Sequence, residues 1–338
     1  FMARALVVAG ALTGVALYSK WEDALVAQER QSANLARVLQ EQTLRVLAPI
    51  DQATLRMRDA VANGSLQPSD FTRLANETGL VPDILTQLSL VGADGRFVAS
   101  NLDPDGQKTG PVDLSEREHI QIHLEPGRNP DLRKQLTRNG LFVGKPVLGK
   151  VSGKWTLQLS RPIVSPTGHL HGVVVASVNP DYFETVFSDV DLGPGGAVTL
   201  LGDDNTLRAR VSGGQATGMG QVLKLASDHP LLDVNKPEGT YTRVSEVDNM
   251  ERITAFRRVP GYPLNMLVSI TTEAALEEWR GMRNVTLVVA LLLGVAIVAS
   301  GLGFLRGVRR LEESHAALAV SEAQAQSASQ AKSEFMTA

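Results

Sequence analysis

His119 and His123 stand four residues apart in a segment of helical pattern, a spacing that puts two imidazoles on one helix face where they could grip a metal ion. The sequence fixes no third histidine and no carboxylate beside them, so the expectation is polar residues of a pocket or surface, with no metal site. His169 and His171, two apart at the start of a strand pattern, face one side and are expected to be exposed. Catalysis finds no other foothold, since the chain has no phosphate-binding glycine loop, no HExxH pair and no nucleophile elbow. It also has no cysteine, which excludes disulfides, thiolate metal sites and thiol catalysis. A net charge of −3 without a polybasic face argues against a nucleic-acid partner.

The elements that must position these residues show in the hydrophobic pattern. The 338 residues are 43% hydrophobic and 20% charged, too apolar for disorder and sufficient for two modest cores. Val285 to Leu305 is a run of 21 residues without a charge, long enough to cross the roughly 30 Å apolar thickness of a bilayer as a helix. Arg306, Arg309 and Arg310 behind it place the tail in the cytoplasm, against Arg280 and Arg283 on the other flank. A second apolar run, Ala5 to Tyr18, is 14 residues long. It reads as part of a first span or as the apolar core of a signal peptide. The span is favoured because the charged helix behind it continues without a break. With two spans, residues 19–284 lie outside the cytoplasm. A chain that starts at Phe1 and stops in mid-pattern at Ala338 reads as a piece of a longer protein.

From Lys20 to about Val61 one long helix is expected, with Leu35, Leu39, Val46, Ile50, Ala53 and Met57 forming its apolar stripe, Pro49 kinking it and Gly64 ending it. An internal repeat follows. QLSLVGADGRFVAS at 87–100 and AVTLLGDDNTLRAR at 197–210 match at an offset of 110 positions, sharing Leu90/Leu200, Gly92/Gly202, Asp94/Asp204 and Ala99/Ala209. Each is a β-hairpin signal, and the order behind it also repeats. The first hairpin leads to a helix at 113–124, strands at 141–148, 154–164 and 169–178 with a turn at Val151-Ser152-Gly153, and a helix at 181–187. The second leads to strands at 239–247, 251–259 and 264–270 and a helix at 273–283. Five antiparallel strands with helices, made twice, give an α+β class: a long N-terminal helix, two tandem PAS-like five-stranded modules, flanking transmembrane helices and a C-terminal signalling helix.

This order resembles the double Cache (PDC-type) extracytoplasmic sensor domain of bacterial receptors. Leu114-Ser115-Glu116-Arg117-Glu118-His119-Ile120 is similar to that family's LSDR-x-YF segment, with His119-Ile120 where aromatics are usual. The strands at 140–147 and 172–178 are similar to those that follow it. The residue set of the amino-acid-binding branch is not found, so the resemblance implies no amino-acid ligand. The tail, Ala331-Lys332-Ser333-Glu334-Phe335-Met336-Thr337-Ala338, resembles the AKSEFLA start of the dimerisation helix of sensor histidine kinases. There the phosphorylated histidine follows within a few residues, so the chain would stop before its phosphoacceptor. His315 lies upstream and is not that residue.

The first resemblance implies a ligand pocket in the first module, for a small and preferably anionic molecule. It would place Arg117, His119, Lys145 and Arg161 near the pocket as polar and cationic groups, Trp155 as an apolar wall, and Ser160 and Ser177 as hydroxyl donors. Strand alternation puts Trp155 and Arg161 on one side and Ser160 on the other, so they cannot all line one pocket. The second module, with Arg243, Arg252, Arg257 and Arg258 scattered on its strands, reads as a structural transmitter. Leu311, Leu318 and Ala325 fall at steps of seven, compatible with a dimeric signalling helix.

The expected divisions are a transmembrane helix at 1–19, a stalk at 20–66, a distal module at 67–190, a proximal module at 191–284, a second transmembrane helix at 285–305 and a signalling helix at 306–338. The whole reads as the sensing and transmembrane part of an inner-membrane sensor histidine kinase, with its sensor in the periplasm, a homodimer in the bilayer. No cofactor is expected in this chain. ATP, Mg and a response regulator would serve the parent kinase beyond it. The sensor part of a diguanylate cyclase or chemoreceptor, or a non-enzymatic membrane-anchored binding protein, is the alternative.

Overall fold

The computed structural model describes residues 2–151 and 153–336, and the side chains of Met2, Ala5 and residues 327–336 are not among what it describes. Ser152 of the predicted turn and Thr337 and Ala338 of the kinase-like string lie outside the described residues. The chain divides into two compact units, one formed by residues up to Ala24 together with those from Leu276 on, the other by Leu25–Ala275.

A single helix, α1 (Met2–Ala62), takes in both the first apolar run and the stalk, with Pro49 inside it. It ends where Gly64 adopts φ of 65°, a left-handed backbone that glycine enters at no steric cost. Within the larger unit the predicted stripe is the buried one: Leu39, Val46, Ile50, Ala53 and Met57 are all in the core, and Leu35 packs against it. Full burial of a side chain such as Ile50 or Met57 contributes about 1.5–3 kcal/mol.

After a short helix, α2 (Pro68–Glu77), come β1 (Leu85–Gly92), β2 (Phe97–Ser100), α3 (Glu118–Leu124), β3 (Phe142–Leu148), β4 (Trp155–Val164) and β5 (Leu170–Val178). These strands form one antiparallel sheet in the order β2-β1-β5-β4-β3. Helix α4 (Asp181–Ser188) leads to β6 (Ala197–Gly202), β7 (Leu207–Ser212), β8 (Gln215–Ala216), β9 (Glu238–Val244), β10 (Glu251–Arg258) and β11 (Leu264–Thr271), ordered β8-β7-β6-β11-β10-β9. With the two-residue β8 set aside, the second sheet repeats the first. The repeat extends to detail. Both hairpins carry an irregularity at the same place, Leu90/Val91 and Leu200/Leu201. Both turns also need a positive φ at equivalent positions, supplied by Gly95 at 79° and Asn205 at 60°. Asparagine is among the few residues that tolerate that conformation.

Two boundaries differ from expectation. The helix predicted from Asp113 begins at Glu118, because Asp113 Oδ1 accepts from the Ser115 backbone and hydroxyl (2.9 and 2.7 Å) and Leu114 N donates to Gly95 O. That backbone is committed to the hairpin loop and is not free to begin a helix. The helix predicted at 273–283 is a short turn, α5 (Thr272–Ala275), followed by the 60-residue α6 (Glu277–Met336).

Each sheet has two faces. One face of both sheets shares a continuous core with α1, running from Leu88, Leu157 and Ala176 to Val198, Leu200 and Met266. On its other face the first sheet has a smaller cluster of Val91, Phe97, Leu114, Ile120, Val173 and Val175, and the second has Leu201, Leu207, Leu231, Phe256 and Leu267. Polar ties fix α1 to both sheets. Arg161 of β4 is ion-paired with Asp51, and Gln40 donates to Arg258 O and accepts from Arg257 Nε. Between the modules the fully buried Arg208 donates to Gln135 Oε1 at 2.7 Å.

In the smaller unit, Trp279 Nε1 donates to Leu17 O at 3.1 Å, and the Arg283 guanidinium lies 5.1 Å from the Trp279 ring. Among the described residues one helix is long and apolar enough to cross a membrane, with mean hydropathy 2.6 over its most apolar stretch, none of it buried in the protein. It contains Val285–Leu305. The run Ala5–Tyr18 does not add a second such helix.

Candidate functional site

The face of the first sheet turned away from α1 carries polar side chains where a core would carry apolar ones. Gln87 and Ser89 on β1, Gln158 on β4 and Ser177 on β5 are all at least nine-tenths buried. They occupy alternate positions and so share that face. With His119 and Arg117 from the start of α3, and Val147 and Lys150 closing the rim, they surround a cavity of about 30 Å³. That is room for a water molecule. A second, open cleft of about 210 Å³ adjoins it, lined by Arg117, Glu118, His119, Phe142 and Lys145 among others.

Hydrogen bonds order this wall. Ser177 Oγ donates to Gln158 Oε1 at 2.9 Å, and Gln158 Nε2 donates to Thr156 Oγ1 at 2.7 Å, so the Gln158 amide is oriented from both ends. His123 Nε2 lies 2.9 Å from Ser160 Oγ, which donates to His119 O. This ties α3 to β4. Arg117 Nη2 donates to Leu148 O at 3.0 Å, and Lys145 pairs with Glu118 at 2.8 Å.

Both histidines are neutral in this setting. Burial pushes His119 down to about 3, helped by the nearby Arg117 charge and by the repulsion that would arise if His123 were protonated too. Burial pushes His123 down to about 4, with Arg161 adding to it and Ser160 opposing. Since the folded values lie below the unfolded value of about 6.5, the unfolded chain binds more protons between the two, and stability falls as pH drops from about 6.5 toward 4. The domain is therefore expected to lose about 1–2 kcal/mol per histidine between pH 7.5 and 5, read as a lower unfolding midpoint. A His119→Gln/His123→Gln variant should show a shallower slope, and an unchanged slope would refute the assignment.

The residues predicted for the pocket are only partly brought together. Arg117 and His119 border both spaces, Ser177 the inner cavity and Lys145 the outer cleft. Arg161 and Trp155 are elsewhere, which corrects their expected place at the pocket. Arg161 points to the α1 face, where it meets Asp51, Thr54 and Asn139 O, and Trp155 is 52% exposed at the start of β4. Ser160 lies on the cavity face but is committed to His119 and His123. The sequence reading overlooked Gln87, Ser89 and Gln158. Their signal was available: polar residues at every second position of otherwise apolar strands, one of which opens the repeat.

A long helix bearing two antiparallel sheets of repeated topology, with a loop-capped polar cavity on the sheet face away from the helix, defines a PAS-like sensor-domain fold. The chain belongs to the Cache domain family, whose dCache_1 profile matches residues 17–279. Among solved structures it is similar to the extracellular domain of rpHK1S-Z16, described as a histidine kinase, at 25% identity and a TM-score of 0.58, covering 75% of this chain and 98% of that one. It also shares the fold of the ligand-binding domain of the Pseudomonas fluorescens chemoreceptor CtaA, solved with L-isoleucine, at 15% identity and a TM-score of 0.53, covering 77% and 99%. An extracellular ligand binding receptor from Desulfohalobium retbaense matches at 15% identity and 0.50 over 71% of this chain, which spans 40% of that receptor. No curated protein matches the chain.

Proposed function

We propose that the chain is the ligand-sensing and transmembrane signalling part of a sensor histidine kinase. The observation that carries this reading is the continuity of the last strand with the signalling helix: β11 ends at Thr271, α5 follows at once, and α6 then runs unbroken from Glu277 through the apolar segment to Met336. The similarity to the extracellular domain of a protein described as a histidine kinase and the kinase-like string from Ala331 support a kinase output. Autophosphorylation with ATP and Mg and transfer to a response regulator belong to the region that follows.

In this reading residues 1–19 and 285–305 cross the inner membrane, the modules at 67–190 and 191–284 are periplasmic, and the arginines behind Leu305 hold the tail in the cytoplasm. Two copies pair along the signalling helix. The distal cavity takes a small anionic molecule with Arg117 as its cation. At 30 Å³ the cavity must open into the adjoining cleft to admit a ligand, and the ligand shifts output only by its difference in affinity for the two arrangements.

A thermal-shift screen of the full chain in detergent against small carboxylates tests this. A bound ligand stabilises by about 2.7 kcal/mol at one hundred times its Kd. Arg117→Ala is expected to abolish that shift while leaving the ligand-free protein folded and within about 1 kcal/mol of wild type, since Arg117 is half-buried and gives up one hydrogen bond, to Leu148 O. An undiminished shift in the variant refutes the Arg117 pocket. For the kinase reading, the parent protein should label itself from γ-labelled ATP at a histidine soon after Ala338.

A further inference from the structure

A cavity bordered by buried cations lies in the second module, the one expected to be a mere transmitter. It measures about 330 Å³ and opens on the face of the second sheet away from α1. Its floor holds two buried arginines from different strands, Arg210 of β7 at 4% exposure and Arg252 of β10 at 2%. Both depend on one carboxylate. Asp248 accepts from Arg210 Nη2 at 2.7 Å and from Arg252 Nη1 and Nη2 at 2.5 and 2.8 Å. Two guanidiniums against one carboxylate leave one positive charge in excess, in a place where an uncompensated charge is costly.

The excess is local to the floor: Glu246 balances the count over the lining as a whole, but its hydrogen bond goes to Lys224 N and not to either floor arginine. Arg243, also on the wall, is tied to Asp228 at 2.6 Å. Arg210 Nη1 reaches Thr199 Oγ1 at 3.2 Å, whereas its Nε is buried with no hydrogen-bond partner. An arginine with an unused donor, sunk beside an open cavity, is a group with capacity for an anion. Leu207, Leu225, Leu231 and Leu267 and the half-buried Tyr241 ring form the remaining walls, with Thr254 and Ser269 between them.

We infer that the second module holds its own ligand site, for a small monocarboxylate with an apolar body. Its carboxylate meets the Arg210–Arg252 floor, and its apolar part packs on Tyr241 and the leucines. The local excess at the floor, with Glu246 elsewhere on the wall, suits a monoanion. A dianion would bring surplus charge toward Glu246, and an ammonium would face arginines. The site is separate from the distal cavity, and the inference stands whether or not that cavity binds. It also has a route to output: β11 supplies Leu267 and Ser269 to the cavity and two residues later ends at Thr271, whose Oγ1 donates to Pro194 O, with α5 beginning at the next residue, Thr272.

The test is calorimetric titration of the full chain in detergent with acetate, 4-methylpentanoate, phenylacetate and benzoate, and with 4-methylpentanamide as the uncharged counterpart. At least one of the larger acids should bind saturably at one site per chain, more tightly than acetate, with no binding by the amide. Arg210→Gln should weaken that binding tenfold or more. Should Arg210→Gln fail to fold, Ala226→Phe, which adds bulk at an exposed position on the cavity wall, should weaken it as well. No saturable binding by any of the four acids, equal binding of acid and amide, or full binding in either folded variant overturns the inference. Repeating the titration with Arg117→Ala separates the modules: an acid whose binding is lost there occupies the distal cavity, and the proximal assignment falls.

Discussion

Asp51→Ala is expected to destabilise the sensor domain by about 3–5 kcal/mol, the cost of stripping one partner from a buried ion pair. Arg161 is 1% exposed and Asp51 11%, and the pair joins the long helix to the middle of the first sheet. Burial drags the Arg161 guanidinium below its usual value more than the Asp51 charge supports it, so the cation depends on its partners. These are Asp51, the Asn139 carbonyl and, at 3.4 Å, Thr54 Oγ1. Removing the carboxylate leaves a buried charge with only neutral acceptors. The check is a pair of chemical unfolding curves, followed by a double-mutant cycle. Asp51→Ala/Arg161→Met should recover much of the loss, because the double variant buries no charge. If the double variant is as unstable as the sum of the two single ones, the pair is not coupled as described.

The second large effect lies in the other module. Asp248→Asn leaves the Arg210 and Arg252 guanidiniums without their shared counter-charge, and a loss of about 3–5 kcal/mol is expected. The pH dependence gives an independent reading. Burial alone would raise the Asp248 pKa, but the hydrogen bonds and charge of Arg252, with Arg210, outweigh it and hold the carboxyl well below the usual range. A carboxyl whose folded pKa lies below its unfolded value of about 3.9 contributes stability fully above that pH and loses it as pH falls further. Wild type should therefore lose stability steeply below about pH 4, and Asp248→Asn, already lacking the contribution, should be flatter there. Parallel acid limbs for the two proteins would show that Asp248 is not carrying the pair. This window lies below the one set by His119 and His123, so the two effects separate on one pH series.

Much of the architecture was legible in the sequence, because it rests on periodicity and turn chemistry that act locally. The stripe from Leu35 to Met57 had to find an apolar partner, and it did, in the shared face of both sheets. The matched hairpins at 87–100 and 197–210 implied equivalent turns, and Gly95 and Asn205 take up the same left-handed backbone. Less was legible at the binding faces. Strand alternation rightly set Arg161 and Trp155 apart from Ser160, but alternation cannot say which side of a strand meets α1 and which meets loops.

What the sequence determined by itself is the α+β order, the duplication, the long helix and one apolar run able to span a bilayer, since each follows from residue spacing within a single element. What only the tertiary structure decided is which polar groups come together. Arg161 became a helix anchor because Asp51, 110 positions away, lies against its face of the sheet. Gln87, Gln158 and Ser177 became one wall because β1, β5 and β4 are neighbours. Arg210, Arg252 and Asp248 became a charged floor because β7, β10 and the turn before β10 converge beneath one cavity. A cation's role depends on its counter-charge and its exposure to water, and both are set by contacts between segments far apart in the chain.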